Sequence, residues 1–410
     1  VLGPVSGGER REYLWETLRT LWPPPARISR CGRGARPSAT AVDFLVFPNE
    51  RHPALLVPRR PRRTAAAALR HYKASASARD RLRFRLAALA AGTAVAEVLP
   101  DRIRIEPGPP GTGADIADYL SAALRTKTVV SLYVGAPRAN RKPVLQALTP
   151  DGEVLGFVKV GVNPLTDELV RNEAAALTFF ASMPLAHLRP PRLLHHGQWR
   201  GREVLVQQAL SAARPARNNA ELNRAMAEVA GVRGLSRLPA ARSPYWQGLR
   251  SRLRALARDE LADPLLRVLG RLEAAQGAAN LAFGSWHGDW TPWNMTMSGG
   301  RALVWDWERF ETGVPVGYDA VHYWLQGAII RAGASPVTAA EAALRKAPET
   351  LAPLGVEPDA ASLVAAMYLV EIGARYVHDG QAETGARLGR VDTWLLPVLS
   401  RHVQQRRHQT

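Results

Sequence analysis

The 410-residue sequence predicts an α+β chain in which strand-rich segments come first and helix-rich segments follow. Three observations lead there. Val144 to Leu177 runs strand, turn, strand, helix around Pro150-Asp151-Gly152. Residues Asn219 to Asn280, and again Gly317 to the C-terminus, carry helical spacing with few strand signals. Between those helical stretches, a polar, aromatic-lined loop from His287 to Asn294 leads to a short apolar run, Ala302 to Trp305, that reads as a strand ending at Asp306.

Residues 1 to about 105 are basic and alanine-rich. Ala41–Phe47 and Ala54–Val57 read as strands about the turn Pro48-Asn49-Glu50-Arg51, with a helix from Thr64 to Lys73. This order echoes the Val144–Leu177 region, with Pro48-Asn49-Glu50 against Pro150-Asp151-Gly152. The segment is therefore either a degenerate copy of that sheet, without its lysine, or an unrelated small α/β domain. Arg102–Ile105 is a further strand, followed by the Pro/Gly run Glu106–Gly113. That run contains G-P-P-G-T-G, the spacing of a phosphate-binding loop, but the two places that need Lys and then Ser or Thr hold Ala114 and Asp115. It reads as a hinge that closes an N-terminal accessory domain over 1–113. Asp115 suits the N-cap of a helix to about Arg125.

Thr128–Val134 and Val144–Leu148 are strand-like around the basic turn Gly135–Lys142. Val154-Leu155-Gly156-Phe157-Val158-Lys159-Val160 is an apolar strand carrying one lysine. Only five of the 54 basic residues are lysine, so a compact ammonium inside a strand is a pointed choice; the structural alternative is a lysine snorkelling from an edge strand. Arg171 to Leu177 opens a helix of strong helix formers that carries Glu173. Arg192–Gly197 and Glu203–Leu210 read as a hairpin. Adjacent His195 and His196 point to opposite strand faces, and no Cys or acidic partner is expected nearby, so they read as strand-end histidines and not a metal site.

Asp289 and Asn294 stand five apart, and Asp306 follows twelve residues later. A base, an amide ligand and a carboxylate ligand brought together by a loop and a hairpin are what phosphoryl transfer requires: Asp289 receives the acceptor hydroxyl, while Asn294 and Asp306 hold magnesium on nucleotide phosphates. A surface loop with scattered polar residues would not need spacing, flanking strand and residue type to agree.

The pattern H-G-D-x-x-x-x-N, followed by an apolar run ending in D-W-E, resembles the aminoglycoside phosphotransferase family of small-molecule kinases from about Thr126 to the C-terminus. The resemblance implies a bilobal protein-kinase-like fold, with a small β-rich lobe over 114–210 and a large helical lobe over 211–410. It implies transfer of the γ-phosphoryl of ATP, or alternatively GTP, to a hydroxyl of a small molecule, with Mg2+. Lys159 paired with Glu173 (Glu168 the fallback) would position the phosphates, and His287 would support the loop of Asp289. Backbone amides around Gly135, with Arg138, Arg141 or Lys142, would lie over the phosphates. Gln208 to Leu210 would be the hinge that pairs with adenine, and Asp319 the helix-start aspartate that braces the catalytic loop. His322, Tyr323 and Trp324 are expected to pack in the core.

Composition narrows the setting. The single cysteine, Cys31, excludes an internal disulfide framework and fits a reducing compartment. The longest apolar run, Leu86–Leu99, is too short to span a membrane and is interrupted by Glu97, and the N-terminus lacks the apolar core of a secretory signal. A cytoplasmic ATP-using enzyme is expected. The net charge of +18 attracts anions, but the arginines are dispersed and bring no aromatic nucleic-acid signature or zinc spacing. This pattern favours compositional drift with an anionic small-molecule acceptor over nucleic-acid binding, and it disfavours a polycationic acceptor unless a local acidic pocket overrides the field. The second reading is a catalytically silent kinase-fold scaffold with a basic surface for anionic partners. The joint presence of Lys159, Glu173, Asp289, Asn294 and Asp306 argues against it.

Overall fold

The computed structural model describes residues 7–32, 40–71, 86–89, 91, 101–109, 114–135, 140–210, 219–256 and 259–407. In chain order, α1 (Gly7–Leu21) precedes β1 (Arg27–Cys31), β2 (Val42–Phe47), β3 (Leu55–Pro58), α2 (Arg62–Arg70), β4 (Arg102–Glu106) and α3 (Ile116–Leu124). Then come β5 (Val129–Tyr133), β6 (Val144–Leu148), β7 (Val154–Val160), α4 (Pro164–Ala181), β8 (Leu188–Arg189), β9 (Leu193–Trp199) and β10 (Arg202–Gln207). The chain divides into two compact units, one holding Pro4–Ala181 and Pro191–Ala212, the other Ser182–Pro190 and Ala213–Thr410.

The first unit is built on a nine-stranded sheet in the order β1-β4-β2-β3-β5-β6-β7-β10-β9, with every neighbouring pair antiparallel. Side chains alternate across it, as a pleat demands. Phe44 and Val46 of β2 enter one core with Leu14, Leu18 and Trp22 from α1 and its end, and with Val130, Leu145 and Val158. Leu45 and Phe47 enter the other with Ala65, Ala68 and Leu69 of α2. The described strands of the N-terminal segment, expected as an accessory domain, thus continue the sheet that carries Lys159. The join is β3 to β5, where Leu55 pairs with Tyr133 and Leu56 with Leu132.

Two local expectations need correcting here. The helix of Glu173 begins at Pro164, not Arg171. Asn163 and Thr166 close its first turn reciprocally: the Asn163 Oδ1 accepts the Thr166 N–H at 2.9 Å and Thr166 Oγ1 accepts the Asn163 N–H at 2.9 Å, with Pro164 at a position that tolerates a missing N–H. His196 does have an acidic neighbour, Glu203, at 2.9 Å. His195 instead meets the Tyr119 hydroxyl at 2.8 Å, so the two imidazoles are separately engaged.

The second unit is mainly helical: α5 (Asn219–Gly231), α6 (Pro244–Ala255), α7 (Ala262–Gln276), α8 (Tyr318–Gln326), α9 (Pro336–Arg345), α10 (Ala347–Leu351), α11 (Pro358–His378) and α12 (Val391–Arg407). Ser-Pro pairs start two of these, Ser243 capping the Trp246 N–H and Ser335 the Thr338 N–H. Three short strands not expected from the sequence also appear: β11 (Ser236–Pro239), inside a stretch of helical spacing, and β12 (Asn280–Trp286) and β15 (Glu311–Pro315), between the two helical stretches; they pair in the order β11-β12-β15. The expected strand is β14 (Arg301–Val304), hairpinned with β13 (Met295–Ser298). Contrary to expectation, one described helix, α11, is long and apolar enough to cross a membrane, but 72% of its apolar window is buried inside the protein, as suits the central helix of a bundle. Arg138, Pro110–Gly113 and most of Leu86–Leu99 lie outside the described residues.

Candidate active site

Two constellations stand out, one in each unit. In the first, Lys159 projects from β7, between β6 and β10 in the sheet. On α4 the positions Leu169, Glu173 and Leu177 recur at four-residue spacing on the buried face. Glu173 is therefore carried inward with the leucines and is 0% exposed. Its two oxygens lie 2.7 and 2.5 Å from Lys159 Nζ. Glu168, the fallback, is exposed. A carboxylate this deep requires its cation, because an unpaired buried charge is far costlier than the pair.

In the second unit the loop between β12 and β13 is held by its backbone. Asp319, at the start of α8, accepts the His287 N–H at 2.7 Å and the Gly288 N–H at 3.1 Å. Burial pushes the Asp319 carboxyl up to about 7 against the pull of those two bonds. Gly288 sits at φ +84°, and a Cβ there would collide with the Arg309 carbonyl oxygen, so only glycine fits this turn. Arg375 of α11 donates to the Gly288 carbonyl at 2.6 Å.

His287 is fully buried among Trp290 and Trp307. Its Nδ1 accepts the Asp289 N–H at 3.1 Å, so the ring proton sits on Nε2 and is donated to the Trp305 carbonyl at 3.1 Å. Burial lowers its pKa to about 4. The unfolded chain therefore binds this proton below about pH 6.5 while the folded one does not until about pH 4. The resulting stability is complete above the unfolded value and is lost as pH falls through that window, on the order of 3 kcal/mol. Asp319, raised, works in the opposite sense, so the comparison must be made against a variant. Urea unfolding at pH 7 and pH 4.5 should show wild type losing more stability on acidification than His287→Asn; equal losses would contradict the neutral, buried imidazole.

The reacting groups follow. The Asp289 carboxylate accepts from Asn294 Nδ2 on Oδ2 at 2.8 Å and from His322 Nε2 on Oδ1 at 3.0 Å, yet 38% of its side chain stays exposed. Burial alone would raise its pKa, but the His322 hydrogen bond and charge outweigh it and hold the carboxyl below the usual range. Asp306 follows β14 in a left-handed conformation, φ 76° and ψ 50°, which aspartate tolerates better than most residues. The Trp305 N–H bonds to the Asn294 carbonyl at 3.0 Å, which sets Asn294 and Asp306 at the same end of the β13–β14 hairpin.

The remaining candidates are less engaged. Gly135 is exposed at the end of β5, with nothing near its Cβ direction. The Arg141 guanidinium lies over the Tyr13 ring of α1, which explains its burial without a ligand. Gln208 and Leu210 are half-buried, and the Gln208 N–H is given to the Arg192 carbonyl at 2.9 Å. Adenine pairing at Gln208 would have to use its carbonyl. The residue that spacing overlooked is His322. It packs in the core as expected but also reaches Asp289. Its position three residues after Asp319, on the same helix face, was the available signal.

The model of the phosphotransferase enzyme family matches residues 157–354, a span that contains Lys159, Glu173, His287, Asp289, Asn294, Asp306 and Asp319. Over that span the chain is similar to the phosphotransferase enzyme family. None of the curated proteins matches the chain. Among solved structures, a putative fructosamine-3-kinase from Haemophilus somnus 129PT is 12% identical over 71% of this chain and 96% of its own, with a TM-score of 0.42. A thermostable aminoglycoside phosphotransferase APH(4)-Ia, in ternary complex with ADP and hygromycin B, is 12% identical over 70% of this chain and 98% of its own, with a TM-score of 0.44. A glucosamine kinase is 16% identical over 72% and 85%, with a TM-score of 0.36. Likenesses this distant carry nothing about the acceptor.

The phosphotransferase family implies a divalent cation, and the donor set suits one. Asn294 Nδ2 spends both its hydrogens on Asp289, on the main-chain oxygen at 3.1 Å and on Oδ2 at 2.8 Å. That leaves the amide oxygen as the group Asn294 can offer. With the Asp306 carboxylate this makes an all-oxygen pair, which suits a hard cation such as magnesium rather than zinc.

Proposed function

We propose that this chain is a small-molecule kinase that moves the γ-phosphoryl group of ATP, or GTP, to a hydroxyl. The observation that carries the proposal is the Asp289 carboxylate, gripped on both oxygens by Asn294 and His322 yet open to solvent on one side. Such a group can orient a hydroxyl and take its proton at Oδ1 or Oδ2 as the oxygen attacks. Lys159, its ammonium fixed by Glu173, would supply a point charge to the nucleotide phosphates. Asn294 and Asp306 would hold magnesium, which when bound neutralises charge on those phosphates. The acceptor we favour is small and anionic, drawn by the net charge of +18.

Asp306→Ala should abolish magnesium-dependent ADP formation in a screen of hydroxyl compounds while leaving the far-ultraviolet circular dichroism unchanged. Full turnover in that variant would remove the kinase assignment.

A further inference from the structure

Helix α8 presents two polar groups to one loop. Asp319, in its first turn, binds the backbone of His287 and Gly288, and His322, three residues on, reaches the Asp289 carboxylate at 3.0 Å. His322 is 2% exposed and its other nitrogen, Nδ1, lies 2.7 Å from the Tyr368 hydroxyl of α11. The imidazole also meets the Tyr368 ring edge-on, with centroids 5.8 Å apart. Both nitrogens are thus spent on side chains, one of them the group assigned to receive the acceptor hydroxyl.

We propose that His322, aimed by Tyr368, is a positioning residue that fixes the rotation of the Asp289 carboxylate for the acceptor hydroxyl. The inference rests on the kinase reading of Asp289. Its direction is set by elementary chemistry: an ionised carboxylate can only accept, so His322 Nε2 carries a hydrogen whether the ring is neutral or charged. Burial keeps the Tyr368 phenol protonated, since its pKa stands well above the ordinary value, so its O–H can donate to Nδ1 of a neutral ring. Asn294 on Oδ2 and His322 on Oδ1 then pin both oxygens, and the carboxylate cannot pivot without breaking a bond. With one pin removed the carboxylate swings, and a displacement of about 1 Å at a reacting group costs on the order of 10²-fold in rate.

The test uses the full chain and magnesium-ATP with water as acceptor, so no natural substrate is needed. His322→Leu should lower kcat about 10- to 100-fold with KM for ATP within about twofold of wild type. His322→Gln places an amide N–H where Nε2 lies and should recover most of the loss, whereas His322→Asn reaches only to Nδ1 and should not. Equal rates for all three variants, in a protein whose turnover is lost in Asp289→Asn, would overturn the positioning role and leave the kinase reading standing. Survival of turnover in Asp289→Asn would overturn the kinase reading, and the inference with it. Nitrogen-15 histidine resonances of wild type give a readout independent of turnover and of variant folding. His322 Nε2 should appear protonated. A bare Nε2 would overturn the proposal.

Discussion

Asp289→Asn is expected to lower kcat by about 10²- to 10⁴-fold while leaving nucleotide affinity within a few-fold of wild type. The amide matches the carboxylate in size but cannot take the hydroxyl proton. It also cannot satisfy its neighbours, because both oxygens of Asp289 accept, one from Asn294 Nδ2 and one from His322 Nε2. An amide offers one oxygen and one NH2, so one neighbour would face donor against donor. Rate and orientation therefore fail together, whereas the nucleotide's ground-state contacts are assigned elsewhere. Isothermal calorimetry with ATP and initial rates with the best acceptor from a screen give the two quantities. Normal kcat, or lost ATP binding, would contradict the role assigned to this carboxylate.

Lys159→Ala should weaken nucleotide binding and kcat alike, since its ammonium is assigned to phosphates in both ground and transition states. The structure adds a second expected consequence. Glu173 is wholly buried against Lys159, so removing the lysine alone strands a carboxylate and should cost about 3–5 kcal/mol of stability. Nucleotide loss and partial unfolding would then be confused. The double variant Lys159→Met with Glu173→Leu separates them: replacing both partners with apolar groups should restore much of the melting temperature but none of the nucleotide affinity. Lys159→Arg should rescue poorly, because a planar fork does not fit a pocket shaped around a compact ammonium. If the double variant binds ATP like wild type, the pair is structural only.

Local chemistry made the main elements legible. Lys159 was conspicuous as a lysine in an arginine-rich chain, and the Glu173 face follows from four-residue spacing with Leu169 and Leu177. Asp289, Asn294 and Asp306 lie within eighteen residues, so a loop and one hairpin bring them near each other whatever the rest of the fold does. What depended on distant pairing was not legible. Arg27 pairs with Glu106 and Leu55 with Tyr133, and nothing in the local pattern of either strand announces its partner, so the N-terminal strands looked like a separate domain. Strand β11 is four residues long, too short to outweigh the helical spacing around it, and β12 and β15 pair with each other, Phe283 with Pro315, across a separation that neither strand's local pattern announces. His322 looks like a core residue in the sequence because it is one; burial and function coincide at that position, and its partners Asp289 and Tyr368 lie 33 and 46 residues away.

The most direct test follows the phosphoryl group itself. The chain would be incubated with magnesium and ATP labelled in its γ-phosphoryl group, together with a library of hydroxyl compounds that includes anionic members. Label should leave ATP and appear in an organic phosphate ester in one-to-one stoichiometry with ADP, and that transfer should disappear in Asp289→Asn. Tight, magnesium-dependent ATP binding with the label retained in ATP across the library, and unchanged by Asp289→Asn, would contradict the kinase assignment and leave a nucleotide-binding scaffold in its place.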